Sequence, residues 1–259
     1  MDGLPGVSCM CLTYGRPAVL EEAIESFRRQ DYAGPKELIV LNDFDRQTLL
    51  CDVPGVHVVN VSKRFRTVGE KRNACAALAT HDLLFVWDDD DIYLPHRLSF
   101  SVRMFNPEKG FFKPSKALTL NSGTIGGPNA NLYHSGSCFS RSLFDKARGY
   151  AHMGSGQDFE LETVFERLIG RGKNFNAIKP EEIYYIYRWS GTGSYHLSGF
   201  GKDKTGEIAG NAKVAGYVQK QIEGGTLPVG TVSLAPHWKL DYPTMAKEYV
   251  AGLPQRTVV

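Results

Sequence analysis

No stretch of the 259 residues is long and apolar enough to span a bilayer. An apolar strand pattern starts at Val7, so no signal peptide is expected ahead of it. Cysteine is scarce: Cys9, Cys11, Cys51, Cys75 and Cys138 are odd in number and sit among apolar neighbours. Cys9-Met10-Cys11 is not a C-x-x-C pair, and no Cys/His spacing suits zinc. Reduced core thiols in a cytoplasmic protein are the expectation. Charge of one sign is lacking too, with 30 Lys+Arg against 28 Asp+Glu and no long basic run, so nucleic acid is not indicated. There is no P-loop, and no G-x-G-x-x-G follows the first strand. A nucleotide here must be held by side chains and a metal rather than by a glycine-rich cradle.

What is present is an acidic run. Asp88-Asp89-Asp90-Asp91 ends the apolar stretch Leu83-Leu84-Phe85-Val86-Trp87. Neighbouring carboxylates repel, by roughly 4 kcal/mol for a pair about 4 Å apart at an effective dielectric near 20. Four of them at the mouth of a buried strand imply a cation. Hard oxygen ligands suit Mg²⁺ or Mn²⁺, which commonly carry a substrate diphosphate. The plainer reading is a solvated acidic turn capping the next helix.

Periodicity predicts strands at residues 7–12, 38–41, 56–61 and 83–87. Helices are expected from Pro17 to Arg29, over 68–79 with Ala74, Ala77 and Leu78 inward, and from Pro95 to about Met104. Strands alternating with helices imply a parallel sheet with right-handed crossovers. Such sheets bind ligands beyond the carboxyl ends of their strands. Thr13-Tyr14-Gly15-Arg16, Asn42-Asp43 and the acidic run all fall there. Residues 110–140 read as Gly/Ser/Asn-rich with short apolar stretches, 141–147 and 158–169 as helices, and 183–187 as a strand. Residues 189–204 have the composition of a lid, and a helical tail follows from about 205.

In order and spacing, the chain resembles glycosyltransferase family 2, of the GT-A fold. Val7-Ser8-Cys9-Met10-Cys11-Leu12-Thr13-Tyr14-Gly15-Arg16-Pro17 is similar to that family's opening strand and Thr-Tyr-Asn-Arg-Pro turn, with Gly15 in place of Asn. Leu38-Ile39-Val40-Leu41-Asn42-Asp43 resembles its second strand and paired acids, with Asn42 as the first. Gly69-Glu70-Lys71-Arg72-Asn73 resembles its Gly…Ala-Arg-Asn helix start. The acidic run followed by Ile92-Tyr93-Leu94-Pro95 resembles the DXD motif and its trailing proline helix, and Gly156-Gln157-Asp158 the later Glu-Asp motif, with Gln157 for Glu. The likeness spans roughly residues 7–190. It implies a Rossmann-like GT-A domain over 1–204, with a mainly parallel central sheet flanked by helices. Residues 1–110 would form the nucleotide-sugar half and 111–204 the acceptor half. A C-terminal helical extension over 205–259 matches nothing in the family.

The resemblance also implies roles. Thr13, Tyr14 and Arg16 would cradle the base of a nucleoside diphosphate sugar, with uracil the expected base. Asp43 would hydrogen-bond the base, though a turn-forming Asp is the alternative. Arg72 would reach the base or a phosphate; otherwise it is a surface charge. Asp89 would meet the ribose, and Asp90 with Asp88 would ligate Mn²⁺ or Mg²⁺. DXD can be read as 88 and 90 or as 89 and 91. In an extended segment only one pair faces the ligand, and alignment on Ile92 to Pro95 favours the first. His196 would complete the metal shell or be an ordinary loop residue. Trp189 and Tyr195 would stack on sugar, and His134-Ser135-Gly136-Ser137 would meet the acceptor. The implied chemistry is inverting sugar transfer to an acceptor hydroxyl, with Asp158 as general base unless it serves as a helix N-cap. Carbohydrate is one acceptor class among several; a modified nucleic-acid base stays open. The rivals are a sugar nucleotidyltransferase, which lacks its glycine- and basic-rich loop here, and a non-catalytic nucleotide-sugar or metal-binding module, which has no need of Asp158.

Overall fold

The computed structural model describes residues 3–170, 176–189 and 207–254. The first four strands predicted are present as β1 (Val7–Thr13), β2 (Lys36–Asn42), β4 (Val56–Asn60) and β5 (Leu83–Val86). They lie parallel, in the order β4-β2-β1-β5. Two short antiparallel strands extend the sheet past β5: β10 (Cys138–Ser140) and then β7 (Phe111–Phe112). Every residue of β5 is buried, as expected of a strand covered on both faces. One face packs on α1 (Pro17–Arg28), where Leu20, Ala23, Ile24 and Phe27 meet Val7, Cys9 and Phe85. The other face holds Met10, Ile39, Leu84 and Val86 against α2 (Val68–Leu78) and α5 (Gln157–Leu168). The remaining helices of this half are α3 (Arg97–Met104) and α4 (Arg141–Lys146).

Helix α2 does not bury the face its alanines suggested. Ala77 and Leu78 are exposed, and Ala74 is only partly covered. The inward side chains are Lys71, Arg72, Cys75 and Ala76. The start of α2 lies against the 151–157 turn, where a Cβ on Gly69 would sit 1.9 Å from the Ala151 carbonyl oxygen. That close approach turns the polar side of the helix toward the end of the sheet.

A second sheet, β6-β11-β8-β9, takes its β8 and β9 from residues that read as turn-rich and its β11 from the predicted strand near 183–187. It comprises β6 (Ile92–Tyr93), β8 (Lys116–Asn121), β9 (Thr124–Ala130) and β11 (Tyr185–Trp189). Composition hid the β8/β9 hairpin, because β9 carries Gly126, Gly127 and Pro128.

The last segment is more than a helical tail. α6 (Glu207–Glu223) and α7 (Tyr242–Ala251) flank β12 (Gly230–Ser233), which pairs in parallel with the unforeseen β3 (Gln47–Leu50). Val214, Val218 and Leu227 bury Phe44 beside Tyr14, each worth about 1.5–3 kcal/mol when fully covered. Glu22, inside α1, is fully buried. It accepts from Arg188 at 2.6 Å, from the Tyr242 hydroxyl at 2.6 Å and from the Lys239 amide at 3.1 Å. Residues 207–254 are thereby fastened to α1 and to the β1 turn.

Candidate active site

The carboxyl ends of β1, β2 and β5 open into one pocket of about 580 Å³. Thr13, Tyr14, Arg16, Asp43, Arg72, all four aspartates and Asp158 line it. Of the predicted acceptor segment, His134 and Ser135 also line it, whereas Gly136 and Ser137 do not. His196 and Tyr195 lie outside the described residues.

At one end, the β1 turn passes through Gly15 with φ +62, a left-handed conformation that favours glycine, with Val218 and Leu227 3.4 Å from where a Cβ would stand. Tyr14 is set edge-on to Phe44, with ring centroids 5.0 Å apart, and Arg64 lies 4.0 Å over the Tyr14 ring. Asn42, standing where the family has an acid, builds the corner. Its side chain accepts from the Phe44 amide at 3.1 Å and donates to Asn60 at 2.9 Å. Asp43 is thereby held inside the pocket mouth, where it accepts from the Phe65 amide at 3.0 Å and from Lys71 at 2.5 Å. Lys71 also donates to the Thr13 carbonyl at 2.6 Å. Burial pulls the Lys71 ammonium below its usual range, and Asp43 works against that. Sequence reading missed Lys71. Its one signal was a lysine where the resembled motif has alanine.

The acidic run is a turn, not an extended segment, so strict alternation does not apply to it. Asp88 accepts from Arg72 at 2.9 Å and from the Ser135 hydroxyl at 2.5 Å. Burial alone would raise its carboxyl, but Arg72 and Ser135 bring it below the usual range. Burial also opposes the charge on Arg72, yet Asp88 holds that guanidinium more firmly protonated than usual. Arg16 forks onto Asp89 and reaches Asp90 at 2.7 Å. Even so, burial pushes the Asp89 carboxyl up to about 6.

Asp91 faces the second sheet. It accepts from the Arg188 amide at 3.0 Å and meets the Tyr185 hydroxyl at 2.7 Å. Burial, then its acidic neighbours, raise its pKa well above the usual range. An amide can make the same two contacts. Asp91→Asn should therefore keep stability to within about 1 kcal/mol, the scale of one rearranged hydrogen bond. Chemical denaturation measures this, and a loss several times larger would mean that Asp91 is ionised.

At the opposite end of the pocket, His134 is buried between Glu162 at 2.7 Å and the Tyr150 hydroxyl at 2.8 Å. It places the adjoining Ser135 on Asp88. Tyr133 stacks on Tyr187, with centroids 3.9 Å apart, and both line the pocket. Gly156, not Asp158, is the N-cap of α5. Asp158 sits in the first turn and accepts from the Phe159 amide at 2.8 Å. Arg72 Nε and Gln157 Oε1, both at the pocket wall, are buried without a hydrogen-bond partner. Such groups in native folds call for a ligand or water.

Carboxylate oxygens are the right donors for a hard divalent cation. Among the described residues, however, no three His, Cys, Asp or Glu side chains converge as a ready metal shell. The guanidinium of Arg16 stands on Asp89 and Asp90. Also among the described residues, no helix is long and apolar enough to cross a membrane.

Residues 8–114 match glycosyl transferase family 2. The structure is similar to Staphylococcus aureus TarS 1-349 in complex with UDP, with TM-score 0.53 and 14% identity over 71% of this chain and 61% of that one. The complex of the same protein with UDP-GlcNAc aligns with TM-score 0.54 and 12% identity over 84% and 73%. The mannosyltransferase PcManGT of Pyrobaculum calidifontis, in complex with GDP-Man and Mn²⁺, aligns with TM-score 0.49 and 16% identity over 86% and 66%. In the first alignment this chain spans 61% of the TarS chain. No curated protein matches. At these identities the structural likeness speaks for the fold, a mixed α/β sheet flanked by helices of the GT-A kind.

Proposed function

From a chain whose residues 8–114 carry the glycosyl transferase family 2 pattern on a GT-A fold, we propose a metal-dependent, inverting transfer of a sugar from a nucleoside diphosphate to an acceptor hydroxyl. The observation that carries this reading is convergence. Asp43, Arg72, the acidic turn and Asp158 come from separate elements and meet at one pocket. The base lies at the Tyr14, Asp43 and Lys71 end. Uracil is the preferred base, because TarS holds UDP and UDP-GlcNAc on this fold. Asp89 meets the ribose, and Arg72 reaches a phosphate; its Nε, buried without a hydrogen-bond partner, supports this.

Asp88 and Asp90 are the side chains that would hold Mn²⁺ or Mg²⁺, and such an ion neutralises charge on the leaving diphosphate. The acceptor oxygen forms its bond to the anomeric carbon as the bond from that carbon to the diphosphate oxygen breaks. The acceptor proton passes to the Asp158 carboxylate, and the nucleoside diphosphate leaves. The Tyr133–Tyr187 pair and the His134-Ser135 turn form the acceptor wall.

The test is a calorimetric screen of UDP, TDP, CDP, GDP and ADP with Mn²⁺, followed by hydrolysis of the matching sugar nucleotides. UDP should bind most tightly, and its sugar adduct should be slowly hydrolysed. Absence of binding by every nucleotide would remove the reading.

A further inference from the structure

In the free protein, all three guanidinium nitrogens of one arginine are engaged by the acidic turn. Arg16 Nε donates to Asp89 at 3.1 Å, Nη2 donates to the other Asp89 oxygen, and Nη1 donates to Asp90 at 2.7 Å. The Asp89 side chain is 1% exposed, the Asp90 side chain 10% and Arg16 13%. Two buried carboxylates this close need a cation, and the chain supplies its own. Arg16 lies on the Gly15 turn, at the first residue before α1, with its stem at the pocket wall. The guanidinium fork that suits a carboxylate suits a phosphate equally well. Asp88, by contrast, is served by Arg72 from α2, whose position is fixed by packing on the 151–157 turn.

We propose that Arg16 is the resident counter-cation of the acidic turn. It closes Asp89 and Asp90 in the free protein, and it swings to the donor's diphosphate when that binds, which opens Asp90 to a divalent ion. The inference rests on the reading of the pocket as a nucleoside diphosphate site. Its consequence is coupling: nucleotide and cation each strengthen the other's binding by the same factor, because linkage is reciprocal. Couplings of this kind are typically about 5–150-fold.

The experiment titrates Mn²⁺ into the full chain, followed by electron paramagnetic resonance of free Mn²⁺, first without nucleotide and then at saturating UDP. The unaltered protein should bind Mn²⁺ weakly alone and at least about fivefold more tightly with UDP, the lower end of that range. Arg16→Gln should bind Mn²⁺ without nucleotide more tightly than the unaltered protein by a similar factor, with little further gain from UDP. Adding Asp90→Asn should remove that gain. Arg16→Lys, which keeps the charge but cannot fork, should fall between the two. It also serves as the second variant if Arg16→Gln does not fold. The proposal is overturned if Mn²⁺ affinity is unchanged in the Arg16 variants, or if the unaltered protein binds Mn²⁺ equally with and without UDP. If UDP fails to bind at all, the donor reading falls. The counter-cation role is then decided by the nucleotide-free titration alone.

Discussion

Asp158→Asn should abolish sugar transfer while leaving the donor in place. General-base assistance is typically worth about 10²–10⁴ in rate, or roughly 2.7–5.4 kcal/mol of barrier. The asparagine has the same shape but cannot accept the acceptor's proton. Among the described residues Asp158 makes no hydrogen bond to the Tyr14 end or to the Arg72–Asp88 pair; its one bond there is to the Phe159 amide. It is not the N-cap of α5, so its replacement should leave that helix intact. The expected result is turnover down at least about a hundredfold, with UDP affinity unchanged in calorimetry. A loss of less than tenfold would dismiss Asp158 as the base. Equal loss of UDP affinity would move it to the donor side of the pocket. Retained binding with lost transfer would also separate an enzyme from a binding module.

The largest structural effect should come from Glu22. It is 0% exposed and faces Arg188, Tyr242 and the Lys239 amide at once. Removing one partner of a buried ion pair typically costs about 3–5 kcal/mol, because the other charge stays buried and unpaired. Glu22→Ala should destabilise the fold by that amount. For a chain of this size, that is on the order of 10 °C in unfolding midpoint. The loss should reach the site, because Arg188 also gives its amide to Asp91.

Pairing Glu22→Met with Arg188→Met should recover part of the loss, since neither charge is then stranded. Burial raises the Glu22 carboxyl, but Arg188 and Tyr242 outweigh it, and the folded value ends below the usual one. The pair's stabilisation is therefore complete above the ordinary carboxylate range. It fades as pH falls through the lowered folded value, and the variant should lose that part of the acid sensitivity. Unchanged stability in Glu22→Ala at neutral pH would show that Arg188 is not left buried and unpaired once the carboxylate is gone.

Much of this site was legible in the sequence, for a reason that particular residues make clear. Thr13, Tyr14, Asp43 and the acidic run each follow an apolar run that must be a buried strand. Strand order then forces their ends together. Asp158 was legible only through the motif that Gly156 and Gln157 share with it. Of the second sheet only β11 was legible; the β8/β9 hairpin was hidden, because β9 is held by its partners and not by its own composition. Lys71 was hidden because its inward turn depends on Gly69 meeting the Ala151 carbonyl, a contact between segments 82 residues apart in the chain.

The local pattern of apolar residues and turn formers thus determined the four parallel strands, the helices between them and the rim on which ligand-binding side chains stand, because those follow from periodicity within short windows. Tertiary packing alone decided which carboxylate takes which partner. Asp88 goes to Arg72, Asp89 and Asp90 to Arg16, and Asp91 to the second sheet. Four adjacent aspartates are chemically identical until burial and a neighbouring charge tell them apart.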